Sequence, residues 1–348
     1  MKNSYLLPKT MRAMVTMGHG GIDKIVMCRD WPIPTVGPDE VIVRVSACGL
    51  NNTDVNTRVG WYSSAVVAGT SDIEHDSTVT EEPSWGGSPI EFPRIQGADI
   101  CGEIVTVGAN IDPNRIGERI ISDNWLRDPI DLSNKKKTGY LGSECDGGFA
   151  EYACIPSRNA LVITSDLVDA ELATFSCSYS TAEGMLCRVA VEASDTILVT
   201  GASGGVGGAL VQLAKMRGAR VIALAGEEKH DDVKALGADR ILGRAPASLS
   251  SDLKGETITV VADVVGGKLF SDLIDLLKPS GRYVCSGAIA GPMATFDLRT
   301  LYLRDLTFTG STVIGLEVMP RLIRYIETGA IKPALAAQYK LEDLHEAQ

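Results

Sequence analysis

No stretch of this 348-residue chain comes near the roughly 20 consecutive apolar residues that a bilayer-spanning helix needs, so no membrane span is expected. Positive charge is also short: 33 Lys and Arg stand against 44 Asp and Glu, a formal charge of -11. The one basic run, Lys135-Lys136-Lys137, reads as a solvated loop. Without a basic stripe to release counterions, neither nucleic acid nor an anionic membrane is expected as a partner. Histidine is scarce as well. His19, His75, His230 and His345 are isolated, and none has a second metal ligand at short spacing. The eight cysteines form no C-x-x-C pair, and in apolar strands a thiol packs as a small hydrophobe. The amino-terminal MKNSYLLPKTMRAM lacks the apolar core of a signal peptide, so a cytoplasmic protein without structural disulfides is the expectation.

What the chain does have is length for two domains and an ordinary soluble composition, 45% apolar and 22% charged. Its most informative stretch is Asp195 to Lys215. The β-branched run Thr196 to Thr200 ends in Gly201-Ala202-Ser203-Gly204-Gly205-Val206-Gly207, and Leu210, Val211, Leu213 and Ala214 follow at helical spacing. Strand, glycine turn and helix in this order form a cradle for a dinucleotide pyrophosphate. Gly204 admits phosphate oxygens to the backbone, Gly207 lets the helix lie close on the sheet, and first-turn N–H groups face the anion. Ala202 departs from G-x-G-x-x-G at its first glycine. The context supports the cradle, since strand-like runs follow at Arg220–Ala225, Val260–Val265, Arg282–Ser286 and Leu306–Val313. Helical patterns at Asp232–Leu236 and Leu269–Leu277 fall between them.

Ser194-Asp195, Leu198, Ala202 to Gly207, Gln212 and Lys215 fall in an order that resembles the quinone oxidoreductase and zeta-crystallin branch of the medium-chain dehydrogenase/reductase superfamily. Pro38 to Val45, Gly97-Ala98-Asp99-Ile100-Cys101-Gly102-Glu103-Ile104-Val105, the GG-[FY]-AEY strand at Gly147 to Tyr152, and Asp263 to Gly267 resemble further segments of it. The likeness spans nearly the whole chain. It implies an α/β fold: a Rossmann doubly wound parallel sheet at 163–314, and a GroES-like, partly closed β-barrel catalytic domain at 1–162 and 315–348. Met319 to Thr328 is amphipathic, and Leu341 to Gln348 resembles the family's last helix. The family continues to a further strand, whose cofactor contacts would lie beyond Gln348. Two segments look inserted. Ser63 to Pro93 is polar and longer than the matching loop of typical relatives, so a lid or specificity loop is expected there. Asn124 to Glu144 stands where zinc-containing relatives carry a four-cysteine lobe, with only Cys145 nearby.

The resemblance also bears on zinc. Zinc-dependent relatives hold the metal, a Lewis acid on the carbonyl oxygen, through three side chains. Here Asn51 falls at the first ligand position and Ala98 at the histidine, and only Cys177 keeps a ligand residue. No metal is therefore expected. Hydride addition to a conjugated carbonyl needs no strong Lewis acid, because hydrogen bonds can stabilise the developing oxyanion. Asn51 as amide donor, Thr53 at the family's proton-relay hydroxyl and Tyr62 at its quinone site are the candidate catalytic residues. Asn56 replaces a second tyrosine of those relatives, and Asp54 is expected to hold the loop.

An NAD site places a carboxylate at the end of the second strand, where it bonds both ribose hydroxyls. That position is Ala225 here; Gly226 leaves room and Lys229 offers a cation, although Glu227 and Glu228 lie close. NADPH is thus favoured over NADH. The cofactor-binding residues implied are Thr181, Ala202, Ser203, Gly204, Gly205, Val206, Gly226, Lys229, Val265, Ser286 and Gly287. The expected activity is zinc-independent reduction of an activated alkene, enone or quinone by a homodimer acting on a small molecule. Reduction of a simple carbonyl, and a non-catalytic NADPH-binding protein, are the alternatives.

Overall fold

The computed structural model describes residues 7–72, 89–244 and 249–348. Contacts divide the chain into two compact units, Met1–Val66 with Glu74–Cys177 and Met319–Gln348, and Val67–Ile73 with Ser178–Val318. The divisions differ from the 162/163 and 314/315 boundaries read from the sequence. Residues 163–177 pack with the first unit, and the short segment Val67–Ile73 packs with the second.

The first unit is antiparallel. Its strands in chain order are β1 (Thr10–Thr16), β2 (Ile25–Pro32), β3 (Glu40–Gly49), β4 (Arg94–Ile95), β5 (Asp99–Val107), β6 (Arg119–Ser122), β7 (Trp125–Leu126), β8 (Gly139–Tyr140), β9 (Tyr152–Pro156) and β10 (Ala160–Val162). They pair as β2-β1-β4, as β10-β6-β5-β3-β9, and as the ribbon β7-β8. In the GG-[FY]-AEY segment, strand begins only at Tyr152. Residues 147–151 form bends with one bridge, Ala13 to Ala150, because Gly147 and Gly148 pass so near Gly97, Gln96 and Cys48 that no side chain fits. Met11, Met14, Val15, Ile25, Phe149 and Leu344 make one apolar core here. Helix α1 (Asn52–Val59) follows β3 directly and ends at Gly60 in the left-handed conformation, φ 72°.

The second unit holds one parallel sheet of β11 (Thr196–Val199), β12 (Arg220–Ala225), β13 (Arg240–Gly243), β14 (Ile258–Asp263), β15 (Leu277–Cys285) and β16 (Thr307–Gly310). Its order, β13-β12-β11-β14-β15-β16, is that of a doubly wound Rossmann sheet. Every residue of β14 is buried, Thr259 and Asp263 among them, as in a strand covered on both faces, and its middle reads as the apolar run Val260-Val261-Ala262. Helix α2 (Ser176–Arg188) begins in the first unit and continues in the second, and helix α3 (Gly205–Met216) follows the glycine turn.

Candidate functional site

Parallel pairing puts the carboxyl ends of β11, β12, β14 and β15 on one edge of the second unit, with Val199 opposite both Ala223 and Ala262, and Asp263 opposite Cys285. The turns that follow hold Ala202 to Val206, Gly226, Val265, Ser286 and Gly287, so these residues share that edge. Ser203, Gly204 and Gly205 are exposed. Gly201 turns the chain at φ 57°, and no side chain caps the start of α3. Gly207 is the packing glycine: a Cβ there would lie 2.0 Å from the Gly201 carbonyl oxygen. Gly204 has room, its nearest neighbour being that same oxygen at 3.4 Å. Thr181 lies half-buried on α2. A solvent-facing glycine turn on a helix start fits a dinucleotide pyrophosphate.

At the end of β12, Ala225 is buried and Gly226 follows it. The Glu228 carboxylate and the Arg244 guanidinium converge on Gly226, within 2.4 Å and 2.8 Å of where its Cβ would stand, and pair with each other at 3.3 Å. Lys229 instead pairs with Asp232 at 3.5 Å. Arg244 escaped sequence reasoning, because only the parallel pairing of β12 with β13 brings it to this turn.

The candidate catalytic residues lie in the first unit, at the start of α1. Asp54 Oδ2 accepts the Asn51 N–H (2.8 Å) and its Oδ1 accepts that of Gly97 (3.2 Å), so the aspartate does hold this loop. Asn51 donates its side-chain N–H to Asp99 (3.0 Å). The same carboxylate accepts from Asn124 Nδ2 (2.5 Å) and from the Cys177 backbone N–H. Asp99 therefore bonds Asn51 and Cys177 and follows Ala98 in the chain, the three positions read against zinc ligands. Asn124 also donates to the Tyr140 hydroxyl (3.2 Å). One turn along α1, the Thr53 and Tyr62 hydroxyls share a hydrogen bond of 2.9 Å, and Asn56 bonds Tyr62 as well. The Tyr62 residue is 38% exposed, and desolvation of its phenol, against the hydrogen bonds with Thr53 and Asn56, pushes it up to about 12. Burial likewise raises Asp54 to about 7 and Asp99 to about 6, against their accepted hydrogen bonds; for Asp54 the neighbouring Asp99 charge adds to the rise.

Two family profiles match the chain: "Alcohol dehydrogenase GroES-like domain" over residues 37–165 and "Zinc-binding dehydrogenase" over residues 205–328. A crystal structure of a protein described as a candidate alcohol dehydrogenase, from Sinorhizobium meliloti 1021, is 43% identical with a TM-score of 0.87, covering 98% of this chain and 93% of that one. The chain belongs to the medium-chain dehydrogenase/reductase superfamily. Relatives of this dehydrogenase/reductase include acryloyl-coenzyme A reductase of Metallosphaera sedula, 26% identical over 96% of this chain and 94% of that protein. Quinone oxidoreductase of Homo sapiens is also 26% identical, over 97% and 93%. These relatives support the quinone oxidoreductase-like branch. An NAD(P)-dependent oxidoreductase follows.

The donor set does not suit catalytic zinc. Of the three positions read against zinc ligands, one is a methyl group, one an amide already bonded to the Asp99 carboxylate, and one a cysteine. Among the described residues no group of three or more His, Cys, Asp or Glu could hold a metal ion. The histidines within them face backbone carbonyls: His19 those of Thr57 and Arg58, His230 that of Ala225, and His345 that of Ile25; His75 lies outside the described residues. No helix there is long and apolar enough to cross a membrane. The Asn124–Glu144 segment is tied by Asp128, which pairs with Lys137 (3.4 Å) and accepts from Asn134 (3.1 Å). Of the Ser63–Pro93 insertion, residues 73–88 lie outside the described residues. Its nearer end is anchored in the second unit, where the Thr70 N–H donates to the Ile289 carbonyl (3.0 Å).

Proposed function

We propose that this dehydrogenase/reductase is a zinc-independent, NADPH-dependent reductase of an alkene conjugated to a carbonyl, with enones, enoyl thioesters and quinones as the substrate class. One observation carries the reading. Where zinc-bearing relatives have a metal, the Asn51 amide is anchored on Asp99, and Thr53, two residues later in the chain, shares a hydroxyl hydrogen bond with Tyr62. Acryloyl-coenzyme A reductase and quinone oxidoreductase, both named for reduction of conjugated systems, support it.

The nicotinamide cofactor, held by the turns at Ala202–Val206, Gly226, Val265 and Ser286–Gly287, supplies a hydride when bound. Hydride would add to the β-carbon, the alkene π pair becoming the new double bond to the carbonyl carbon and the carbonyl π pair moving onto oxygen as an enolate, and a proton at the α-carbon completes the product. Asn51 and the Thr53–Tyr62 pair donate hydrogen bonds to that oxygen. With its phenol raised to about 12, Tyr62 stays a donor at neutral pH. NADPH is favoured by the uncharged Ala225 and by Arg244, whose exposed pairing with Glu228 is weak enough for a 2′-phosphate to displace. The exposed Leu298, Tyr302 and Leu303, with β16 as an outer strand of its sheet, support a homodimer, which sedimentation would register as twice the monomer mass.

The experiment follows NADPH oxidation with an enone and its saturated ketone, with and without a zinc chelator. Turnover of the enone should exceed that of the ketone roughly 100-fold, ignore the chelator, and fall by a similar factor in Tyr62→Phe and Asn51→Ala. Arg244→Ala should weaken NADPH binding about 10-fold and leave NADH unchanged. Zinc-dependent oxidation of simple alcohols would overturn the reading. The alcohol dehydrogenases among the relatives favour a second reading, plain carbonyl reduction, for which the saturated ketone would be the better substrate.

A further inference from the structure

In the second unit one carboxylate gathers the backbone of a turn on which a second turn is built. Asp263 ends β14 fully buried, and its Oδ1 accepts from the Thr200 hydroxyl (2.6 Å) and the N–H groups of Val265 (2.8 Å) and Gly266 (3.1 Å). Its Oδ2 accepts from the Tyr283 phenol (2.8 Å). Thr200 Oγ1 in turn accepts the Val264 N–H (3.0 Å), so three successive amides are tied to Asp263 directly or through one hydroxyl. The turn so held is not one most residues adopt. Gly266 lies at φ 64°, ψ -149°, a region open essentially to glycine.

The second turn is built onto the first. The Ser286 N–H donates to the Asp263 carbonyl (3.2 Å) and that of Ala290 to the Val265 carbonyl (2.9 Å). Cys285 Sγ donates to the Gly287 carbonyl (3.2 Å). The turns press together so closely that a Cβ on Gly267 would lie 2.8 Å from the Ala290 oxygen, and one on Gly287 3.0 Å from that of Val264. Burial, and then the Asp263 charge, raise the Tyr283 phenol far above its ordinary range, so it remains a donor. A carboxylate with four donors and no cation in contact among the described bonds is a costly way to fill a core, since apolar residues would pack there without the desolvation penalty.

We infer that Asp263, oriented by Tyr283 and Thr200, is a positioning residue that sets the turns Val264–Gly267 and Ser286–Ala290 for the nicotinamide half of the cofactor. The inference rests on the proposed reading that Val265, Ser286 and Gly287 meet that half. The pyrophosphate turn is shaped by Gly201 and Gly207 and adjoins the Asp263 network at Thr200, whereas Tyr283 bonds the opposite carboxylate oxygen. The two halves of the cofactor should therefore respond differently to a change at Tyr283.

The test is Tyr283→Phe, which keeps the ring packed on Phe270 and Phe308 (centroids 5.3 and 5.5 Å away) and removes one donor. Calorimetry compares NADPH with 2′-phospho-ADP-ribose, which lacks the nicotinamide. NADPH affinity should fall about 10-fold, 2′-phospho-ADP-ribose affinity should hold within about twofold, and kcat should fall more than KM rises. Equal loss for both nucleotides, or no loss for either, overturns the inference. Failure of the unaltered protein to bind either nucleotide would instead overturn the cofactor reading beneath it.

Discussion

Asp54 and Asp99 are the residues at which burial and charge conflict most directly. Both are raised above the ordinary 3.8, to about 7 and about 6, chiefly by desolvation. A carboxyl whose folded pKa is raised binds its proton more tightly folded than unfolded, so it stabilises the fold below the unfolded value. That contribution is lost as pH climbs through the folded values. Thermal unfolding should accordingly show Tm falling between about pH 4 and pH 7. Asp99→Asn should flatten that slope and lower Tm at the acid end, where its amide cannot serve all three donors. An unchanged slope in the variant would separate pH dependence from this pair. The sequence assigned Asp54 its loop-holding part, and the structure gives the physical reason, a bond from the Asn51 N–H three residues earlier at a helix start. Asp99 had no such signal. Its side-chain partners, Asn51 and Asn124, are 48 and 25 positions away, and only the pairing of β3 with β5 brings Asn51 beside it.

At the scale of the element, the glycine turn separates two kinds of glycine that look alike in sequence. Gly207→Ala would drive a methyl into the Gly201 carbonyl and should cost about 2–3 kcal/mol in chemical denaturation, whereas Gly204→Ala should leave stability within about 0.5 kcal/mol. Nucleotide affinity should fall in both. If Gly204→Ala destabilised as strongly, the turn would not have the room described. The strands of the parallel sheet were legible because buried strands are largely apolar runs: Arg220–Ala225 coincides with the expected span, and β14, Ile258–Asp263, begins two residues before the expected Val260–Val265. The GG-[FY]-AEY segment was misjudged as strand since its apolar residues, Phe149 and Ala150, are buried beneath bends. Two glycines and a single bridge leave no alternating run to read. Arg244 and the Asp263 network were hidden for a related reason, namely that their partners meet across neighbouring strands or turns rather than at any fixed spacing.

For the molecule as a whole, the division into two units predicts separable losses. Leu344, near the carboxyl end, is buried among Met11, Met14, Val15 and Ile25, and His345 bonds the Ile25 carbonyl at 2.8 Å. Leu344→Asp should destabilise the first unit by about 3 kcal/mol, seen as an earlier thermal transition. Affinity for 2′-phospho-ADP-ribose in the cold should persist, since the nucleotide turns belong to the second unit. Loss of that affinity would show the units to be one cooperative block. The order in which the chain visits them also has a consequence during synthesis. The second unit is complete at Val318, while the first waits for Met319–Gln348. On the ribosome, then, the later-starting half is free to fold first. The β1 hairpin, made well before, stays without its Leu344 neighbour until that residue has been synthesised, and the nascent chain needs shielding there in the interval.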